Sequence, residues 1–210
     1  MTEPTATDRL ERELRGTAAH GALSPRTVDA VARRADAEGL IDVAYARADS
    51  PLGPLTVAAT EHGLALLAYP TRPLDEVLGR LAAQISPRVL EAPARLDPVR
   101  RQLDEYFDGK RTEFDLPIDW QLTRGAFFQA VLRATAQIGY GETLTYRQVA
   151  ERAGNVKAVR AAGNGLGSNP IPVVIPCHRV TATGGGLGGY TGGLERKELL
   201  LALERGDGWG

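Results

Sequence analysis

Residues 169–180, Asn-Pro-Ile-Pro-Val-Val-Ile-Pro-Cys-His-Arg-Val, constrain this chain more than any other stretch. Its three prolines have fixed φ angles and stiffen the approach to the only cysteine in the sequence. The apolar residues 173–175 predict a buried strand that Pro176 ends. Cys177 would then stand at a strand end, on a turn, where catalytic side chains tend to be presented.

The thiol of Cys177 is followed directly by the imidazole of His178. The thiolate is the reactive form of cysteine, and a free thiol with a pKa of about 8.5 needs a neighbouring base or positive charge. The alternative is a small, inert core residue, which is what a lone buried cysteine usually is. The strand end and the adjacent histidine favour the nucleophile.

The composition of the chain limits its class. A length of 210 residues, 43% hydrophobic and 24% charged, is ordinary for a soluble globular protein of one large or two small domains. No apolar run reaches the ~18 residues that span a membrane, and the polar N-terminus contains no secretory signal. One cysteine cannot form an internal disulfide, which fits the cytoplasm. One cysteine and three histidines also predict that no structural zinc site is present.

Charge is distributed unevenly along the chain. Residues 1–120 carry 15 Lys and Arg against 20 Asp and Glu, a net charge of −5. Residues 121–210 carry 10 against 6, a net charge of +4, and the two halves sum to the overall −1. The small overall net charge therefore argues against nonspecific binding along nucleic acid. If DNA is bound, it is expected to contact the basic C-terminal half.

The N-terminal half is predicted to contain a small α+β domain over residues 40–119. Three runs of apolar residues, alternating in the first two and separated by turns, predict a β-meander over residues 41–69. Two amphipathic helices follow, one beginning at Pro73 and the other near residues 99–107, and residues 114–120 are interpreted as a linker. Strands followed by helices indicate an α+β unit.

Residues 1–39 carry no motif and are interpreted as a helical extension of unknown role. A short charged helix is predicted over residues 7–15. A second helix is predicted to begin with Ser24 as its N-cap and Pro25 at its first position. A partly ordered tail is the alternative for this stretch.

Residues 120–210 are predicted to form the DNA-binding and active-site domain. Thr123 is expected to cap a helix. Residues 145–152 and 156–166 predict two further helices joined by a tight turn, which is a helix-turn-helix pattern, although an ordinary pair of antiparallel helices is the alternative. Small residues crowd one side of the second helix, which permits close approach to a narrow minor groove or to another helix.

Several short motifs fall in a fixed order, and together they resemble the O6-alkylguanine-DNA alkyltransferases. They are Tyr-Gly-Glu-Thr at 140–143, Ala-Gly-Asn at 153–155, Ala-Val-Arg-Ala at 158–161, Pro-Cys-His-Arg-Val at 176–180 and Tyr-Thr-Gly-Gly-Leu at 190–194. The resemblance is strong from residue 123 to 204, weaker over 41–120 and absent before 39. It implies an α+β fold with an RNase H-like N-terminal domain and a C-terminal winged helix-turn-helix-like alkyltransferase domain.

The resemblance implies that Cys177 takes an alkyl group directly from guanine O6, or from thymine O4, in double-stranded DNA. The protein would act once, as a monomer, without a cofactor and away from membranes. By position, His178 would be the base, acting through a water, and Glu198 would orient it. Asn169 would hold the turn before the cysteine strand.

The damaged base must leave the duplex, because guanine O6 lies in the paired stack beyond the reach of a thiol. By resemblance, Arg160 would fill the vacated space and Tyr146 would press on the adjacent phosphate. The remaining residues expected to bind DNA are Arg147 and Asn155.

The resemblance also implies a pocket for the extruded base. Tyr190 would donate to the guanine ring, the Val180 backbone would read the exocyclic amine, and the amide of Thr191, where the family commonly has serine, would face O6. The glycine-rich residues 184–189 match G-x-G-x-x-G, but no helix is predicted to open directly from them, so a mobile substrate loop is expected instead. A damage sensor without transfer and a Cys–His hydrolase are the alternative functions.

Overall fold

The computed structural model describes residues 25–208. By its internal contacts the chain divides into two compact units, residues 1–41 and residues 42–210. In the first unit, helix α1 spans Pro25–Ala37. Pro25 occupies its first position as predicted, where the missing amide hydrogen has no intrahelical partner to lose. The helix expected over residues 7–15 and the Ser24 cap lie outside the described residues.

The second unit begins with a four-stranded sheet. Strands β1 (Val43–Ala48), β2 (Leu55–Thr60) and β3 (Gly63–Ala68) form the predicted antiparallel meander. Strand β4 (Val89–Glu91) pairs in parallel with β1 and gives the order β3-β2-β1-β4. The sequence analysis missed β4, because three residues are too few for an alternating pattern to be recognised.

Two helices accompany this sheet, at the positions where the apolar faces predicted them. They are α2 (Leu74–Gln84) and α3 (Asp97–Phe107), the latter entered through a 3₁₀ turn over Pro93–Leu96. Helix α2 buries Val77 and Leu81 against the sheet, and full burial of each such side chain stabilises the fold by about 1.5–3 kcal/mol. The core that they complete contains Val43, Ala58, Leu66, Ala68 and Leu122.

Residues 114–120 extend the sheet, which differs from the linker that was expected. The amide of Leu64 donates to Pro117 O at 2.8 Å, and the amide of Asp119 donates to Leu64 O at 2.9 Å. Gly63 makes this approach possible, because a Cβ there would lie 2.1 Å from Pro117 O. The segment therefore ties the sheet to the C-terminal domain that follows it.

The C-terminal domain consists of helices joined by a two-stranded parallel sheet. Its elements are α4 (Ala126–Ala136), β5 (Leu144–Thr145), α5 (Tyr146–Arg152), α6 (Val159–Gly167), a 3₁₀ turn (Cys177–Arg179), β6 (Val180–Thr181) and α7 (Leu194–Arg205). The predicted α+β architecture and pair of helices are confirmed. Among residues 25–208 no helix is both long and apolar enough to cross a membrane.

Two predicted helix starts in this domain are wrong. Thr123 does not cap α4, since Gly125, with a φ of 92°, occupies the N-cap position and the helix begins at Ala126. Helix α6 begins at Val159 rather than at residue 156, because the chain first makes a turn in which the Ala158 amide donates to Asn155 O. Thr145 caps α5 through a reciprocal pair of hydrogen bonds with Gln148, as in a capping box.

Candidate active site

The segment before Cys177 is a buried turn, so the strand predicted over residues 173–175 is wrong. Asn169 imposes the turn: its Oδ1 accepts from the Ile171 amide at 3.0 Å and its Nδ2 donates to Ile175 O at 2.9 Å. Val173 adopts a φ of 73°, a left-handed conformation that is strained for a β-branched residue. The apolar composition of residues 173–175 therefore predicted burial correctly but secondary structure incorrectly.

Cys177 opens the 3₁₀ turn and is 6% exposed. The same Asn169 Nδ2 lies 3.2 Å from its sulfur. Burial raises the pKa of the thiol to about 11, although the hydrogen bond from Asn169 and the charge of Lys197 act in the opposite direction. The resting cysteine is therefore a protonated thiol at neutral pH.

His178 is fully buried, and its Nε2 lies 2.9 Å from Glu204 Oε1. The expectation that Glu198 orients this imidazole is wrong, because Glu198 lies on the exposed side of α7. Burial lowers the pKa of His178 more than Glu204 raises it, so the ring is neutral at pH 7. With an ionised Glu204 as acceptor, Nε2 carries the proton, which leaves Nδ1 as a buried base without a hydrogen-bond partner within residues 25–208.

Glu204 joins four segments of the chain. Arg179 donates to both of its oxygens, from Nε and Nη2, and Tyr106 of α3 donates to Oε1 at 2.6 Å. The amide of Gly141 donates to Oε2 at 3.2 Å. Burial acts to raise the pKa of Glu204, but the hydrogen bonds from His178 and Arg179 outweigh it and lower the pKa to about 2. The sequence analysis identified no anion for Arg179, and this carboxylate is its partner.

Lys197 was missed as a member of the site. Its side chain is fully buried, and its ammonium donates to Val180 O at 2.6 Å and to Leu187 O at 2.5 Å. These bonds fasten the glycine-rich loop to the strand that follows Cys177. Burial lowers the pKa of Lys197, while the nearby thiol raises it. The only sequence signal was a lysine at a helix position that the apolar pattern assigns to the core.

The residues expected to line the base pocket lie in β6 and in the segment that directly precedes α7. Val180 is fully buried in β6, and Thr191 Oγ1 donates to Gly167 O at 2.8 Å, at the end of α6. The hydroxyl of Tyr190 lies 2.6 Å from that of Tyr69, at the end of the N-terminal sheet, and the two rings pack edge to face. Tyr69 was not predicted, because the sequence gives no reason to pair residues so distant.

The residues expected to bind DNA lie on or between α5 and α6. Arg160, Arg147 and Asn155 are exposed, with Arg160 in the first turn of α6. Tyr146 is half-buried and donates its hydroxyl to Gly189 O at 3.2 Å. The glycine-rich loop thus packs on Tyr146, and a Cβ at Gly188 would lie 2.7 Å from that ring.

The arrangement provides a buried thiol, an adjacent neutral imidazole and a carboxylate that holds the imidazole in one tautomer. These groups suit a nucleophile that loses its proton during the reaction rather than before it. Within residues 25–208 no group of three or more His, Cys, Asp or Glu side chains could hold a metal ion.

Comparison with known proteins identifies both parts of the second unit. Residues 43–120 match the ribonuclease-like domain of the 6-O-methylguanine DNA methyltransferase family, and residues 126–206 match its DNA-binding domain. Methylated-DNA–protein-cysteine methyltransferases from Mycolicibacterium paratuberculosis and Methanosarcina barkeri are 42% and 40% identical. The matches cover 78% and 74% of this chain and 93% of each relative.

A solved structure agrees with these matches. The crystal structure of Mycobacterium tuberculosis OGT in complex with DNA superimposes with a TM-score of 0.69 at 37% identity, covering 79% of this chain and 95% of that one. The fold class predicted from the sequence is confirmed for both domains. The chain therefore belongs to the family of methylated-DNA–protein-cysteine methyltransferases, the O6-alkylguanine-DNA alkyltransferases.

Proposed function

We propose that this chain repairs DNA by moving an alkyl group from guanine O6 to the sulfur of Cys177. The observation that carries the proposal is the buried thiol, held by Asn169 at 3.2 Å and followed directly by a histidine that a carboxylate orients. Membership of the family supports the same chemistry. The thioether product has no leaving group that water displaces readily, so each molecule acts once. Thymine O4 presents the same alkyl–oxygen bond and is a second substrate.

The proton of Cys177 leaves through His178. Nδ1 of this residue is free to accept it through a bridging water, and the resulting imidazolium is stabilised by Glu204. A pKa of about 11 makes the free thiolate rare, so proton removal and alkyl transfer are coupled in the bound state. Tyr190 donates a hydrogen bond to the departing base as negative charge develops there.

DNA is bound by the C-terminal domain, over residues 120–210, through the exposed side of α5 and α6. The mildly basic charge of this half and the exposed guanidinium of Arg160 support that assignment. Arg160 occupies the space of the extruded base, while Tyr146, Arg147 and Asn155 contact the backbone beside it. The protein works as a cytoplasmic monomer, with residues 40–119 as the N-terminal domain that precedes the DNA-binding domain.

The central experiment is one incubation with duplex DNA that contains O6-methylguanine, followed by intact-mass measurement. One methyl group should be added per protein molecule, on Cys177, and Cys177→Ala should bind the same DNA without gaining mass. Repeated turnover would indicate a different enzyme. Binding without any mass gain in the wild type would indicate a damage sensor.

Base extrusion is tested separately with Arg160→Ala. Repair of duplex DNA should slow at least tenfold, whereas reaction with free O6-benzylguanine should be unchanged, because only the duplex requires flipping. Arg101→Ala, an exposed arginine on α3, is the matched control and should affect neither reaction. Equal losses on both substrates would assign Arg160 another role.

A further inference from the structure

Three arginines gather where the N-terminal sheet meets the C-terminal domain, and they are called the arginine cluster below. Arg72 precedes helix α2 and Arg80 lies on it, and both line a cavity whose wall also includes Asn169. Arg124 precedes α4. Burial, followed by repulsion from Arg72 and Arg124, lowers the pKa of Arg80, although a guanidinium stays charged at any physiological pH. Three positive charges are therefore held close together here.

The arginine cluster has no counter-ion in the part of the chain that the structure describes. None of its side chains makes a hydrogen bond or an ion pair within residues 25–208. Glu76 lines the same cavity and stands four residues before Arg80 on α2, which is the spacing of a helical ion pair, but the two side chains do not pair. Arg80 is also half-buried, and burying a charge without a partner is costly. An anion from outside the protein would offset that cost.

Two contacts place the arginine cluster at the C-terminal end of α6. Phe128, in the first turn of α4, packs on Gly165 of α6, where a Cβ would lie 3.4 Å from the ring. Arg124 stands just before that turn of α4. Thr191, which lines the same cavity as the other two arginines, donates to the carbonyl of Gly167, the last residue of α6. The cluster therefore adjoins the pair of helices that is proposed to face DNA.

We propose that the arginine cluster binds phosphates of the duplex beyond the extruded base, which makes the N-terminal domain part of the DNA-binding surface. The inference rests on the proposed docking of DNA on α5 and α6. Arg160 stands in the first turn of α6, and the nine residues of this helix span about 13 Å. Phosphates recur about every 3.4 Å along each strand, so the cluster meets the backbone about four to six base pairs from the damage. A phosphodiester supplies the missing anion, and a guanidinium can bind two of its oxygens at once.

The first test measures the affinity for a long undamaged duplex, labelled with fluorescein, by anisotropy at several salt concentrations. Each phosphate contact contributes about 0.9 to the slope of log affinity against log salt concentration. Arg72→Gln/Arg124→Gln removes the two exposed charges, so the slope should fall by about 1 to 2 and binding at about 50 mM salt should weaken at least fivefold. This difference from the wild type should shrink about three- to tenfold by about 200 mM salt. An unchanged slope would overturn the inference.

The second test locates the contact with O6-methylguanine placed near one or the other end of a duplex. The arginine cluster lies to one side of the extruded base, so it reaches phosphates only where the duplex continues on that side. Below saturation, the double glutamine variant should repair DNA that continues there at least threefold more slowly than the wild type. The two proteins should be equally fast when the duplex ends about two base pairs from the damage on that side. Equal losses on both duplexes would show that the arginines do not bind these phosphates.

Three controls separate charge from structure. Arg72→Lys/Arg124→Lys should keep most of the wild-type slope. Arg47→Gln/Arg101→Gln, which removes two exposed arginines from β1 and α3, should keep nearly all of it, and an equal loss in this pair would count against the cluster. Reaction with free O6-benzylguanine should be unchanged in every variant. Wild-type protein that binds duplex DNA but transfers no methyl group would instead refute the proposed function, and the salt test of the cluster would still stand.

Discussion

Glu204→Gln is the sharpest perturbation of this site, and Glu198→Gln is its matched control. Both glutamates lie on α7, six residues apart, and both changes remove one charge with almost no change of shape. Glu204 accepts hydrogen bonds from His178, Arg179 and Tyr106, whereas Glu198 is exposed and no hydrogen bond or ion pair within residues 25–208 involves its side chain. The pair therefore compares a buried carboxylate with a surface one on a single helix.

The expected magnitude follows from the pKa of Glu204. Its lowering from 4.5 to about 2, at about 1.4 kcal/mol for each pKa unit, amounts to roughly 3 kcal/mol of folding free energy at pH 7. Removing one member of a buried ion pair costs a similar ~3–5 kcal/mol, because the Arg179 guanidinium is left without its anion. Glu198→Gln should change stability by less than about 0.5 kcal/mol.

Urea unfolding at several pH values measures both variants against the wild type. Because the folded pKa is lowered, the contribution of Glu204 is complete above about pH 4.5 and is lost as the pH falls towards 2. The gap between wild type and Glu204→Gln should therefore be less than half as large at pH 3 as at pH 7. Alkyl transfer should also slow at least tenfold, since His178 loses the acceptor that fixes its tautomer. Equal losses in the two variants, or a gap that does not change with pH, would refute this account.

Two further predictions concern the thiol and the base pocket. The rate of Cys177 alkylation by iodoacetamide should rise with pH and level off only near the raised pKa of about 11, so a plateau below pH 8.5 would contradict the buried resting thiol. Tyr69→Phe should slow transfer about three- to tenfold, the effect of one lost hydrogen bond to Tyr190, while Tyr45→Phe leaves the rate unchanged. A loss of the same size in a Tyr190→Phe background would show that Tyr69 does not act through Tyr190.

Local patterns were sufficient to predict most of the architecture. Strands β1 and β2 and helices α2 and α3 each follow a repeat of apolar residues that is complete within the element itself. The segment before Cys177 was harder, because residues 173–175 have a strand-like composition. The side chain of Asn169 bonds to the backbone of this segment and forms a turn instead, which a propensity argument does not detect.

To predict the carboxylate partner of His178, it is necessary to know which residues of α7 share its buried face. Lys197, Leu200, Leu201 and Glu204 follow the i, i+3, i+4, i+7 spacing of one buried face, and position 198 falls beside it. Lys197 and Glu204 thus lie on a helix face that is otherwise apolar, and the sequence analysis did not use this pattern. The contact between Tyr69 and Tyr190 had no such signal, since it joins two domains across 121 residues.

The contacts of Glu204 also have a consequence for the order of folding events. Its partners lie 25 residues away at Arg179, 63 at Gly141 and 98 at Tyr106, so the carboxylate connects loops that are slow to close. Burying this charge before Arg179 is in place would be costly, which makes its burial a late event after the folding barrier. Changes at Glu204 should therefore accelerate unfolding while leaving the folding rate nearly unaltered. Glu204, which orients His178, would then also determine the lifetime of the folded protein before its single reaction.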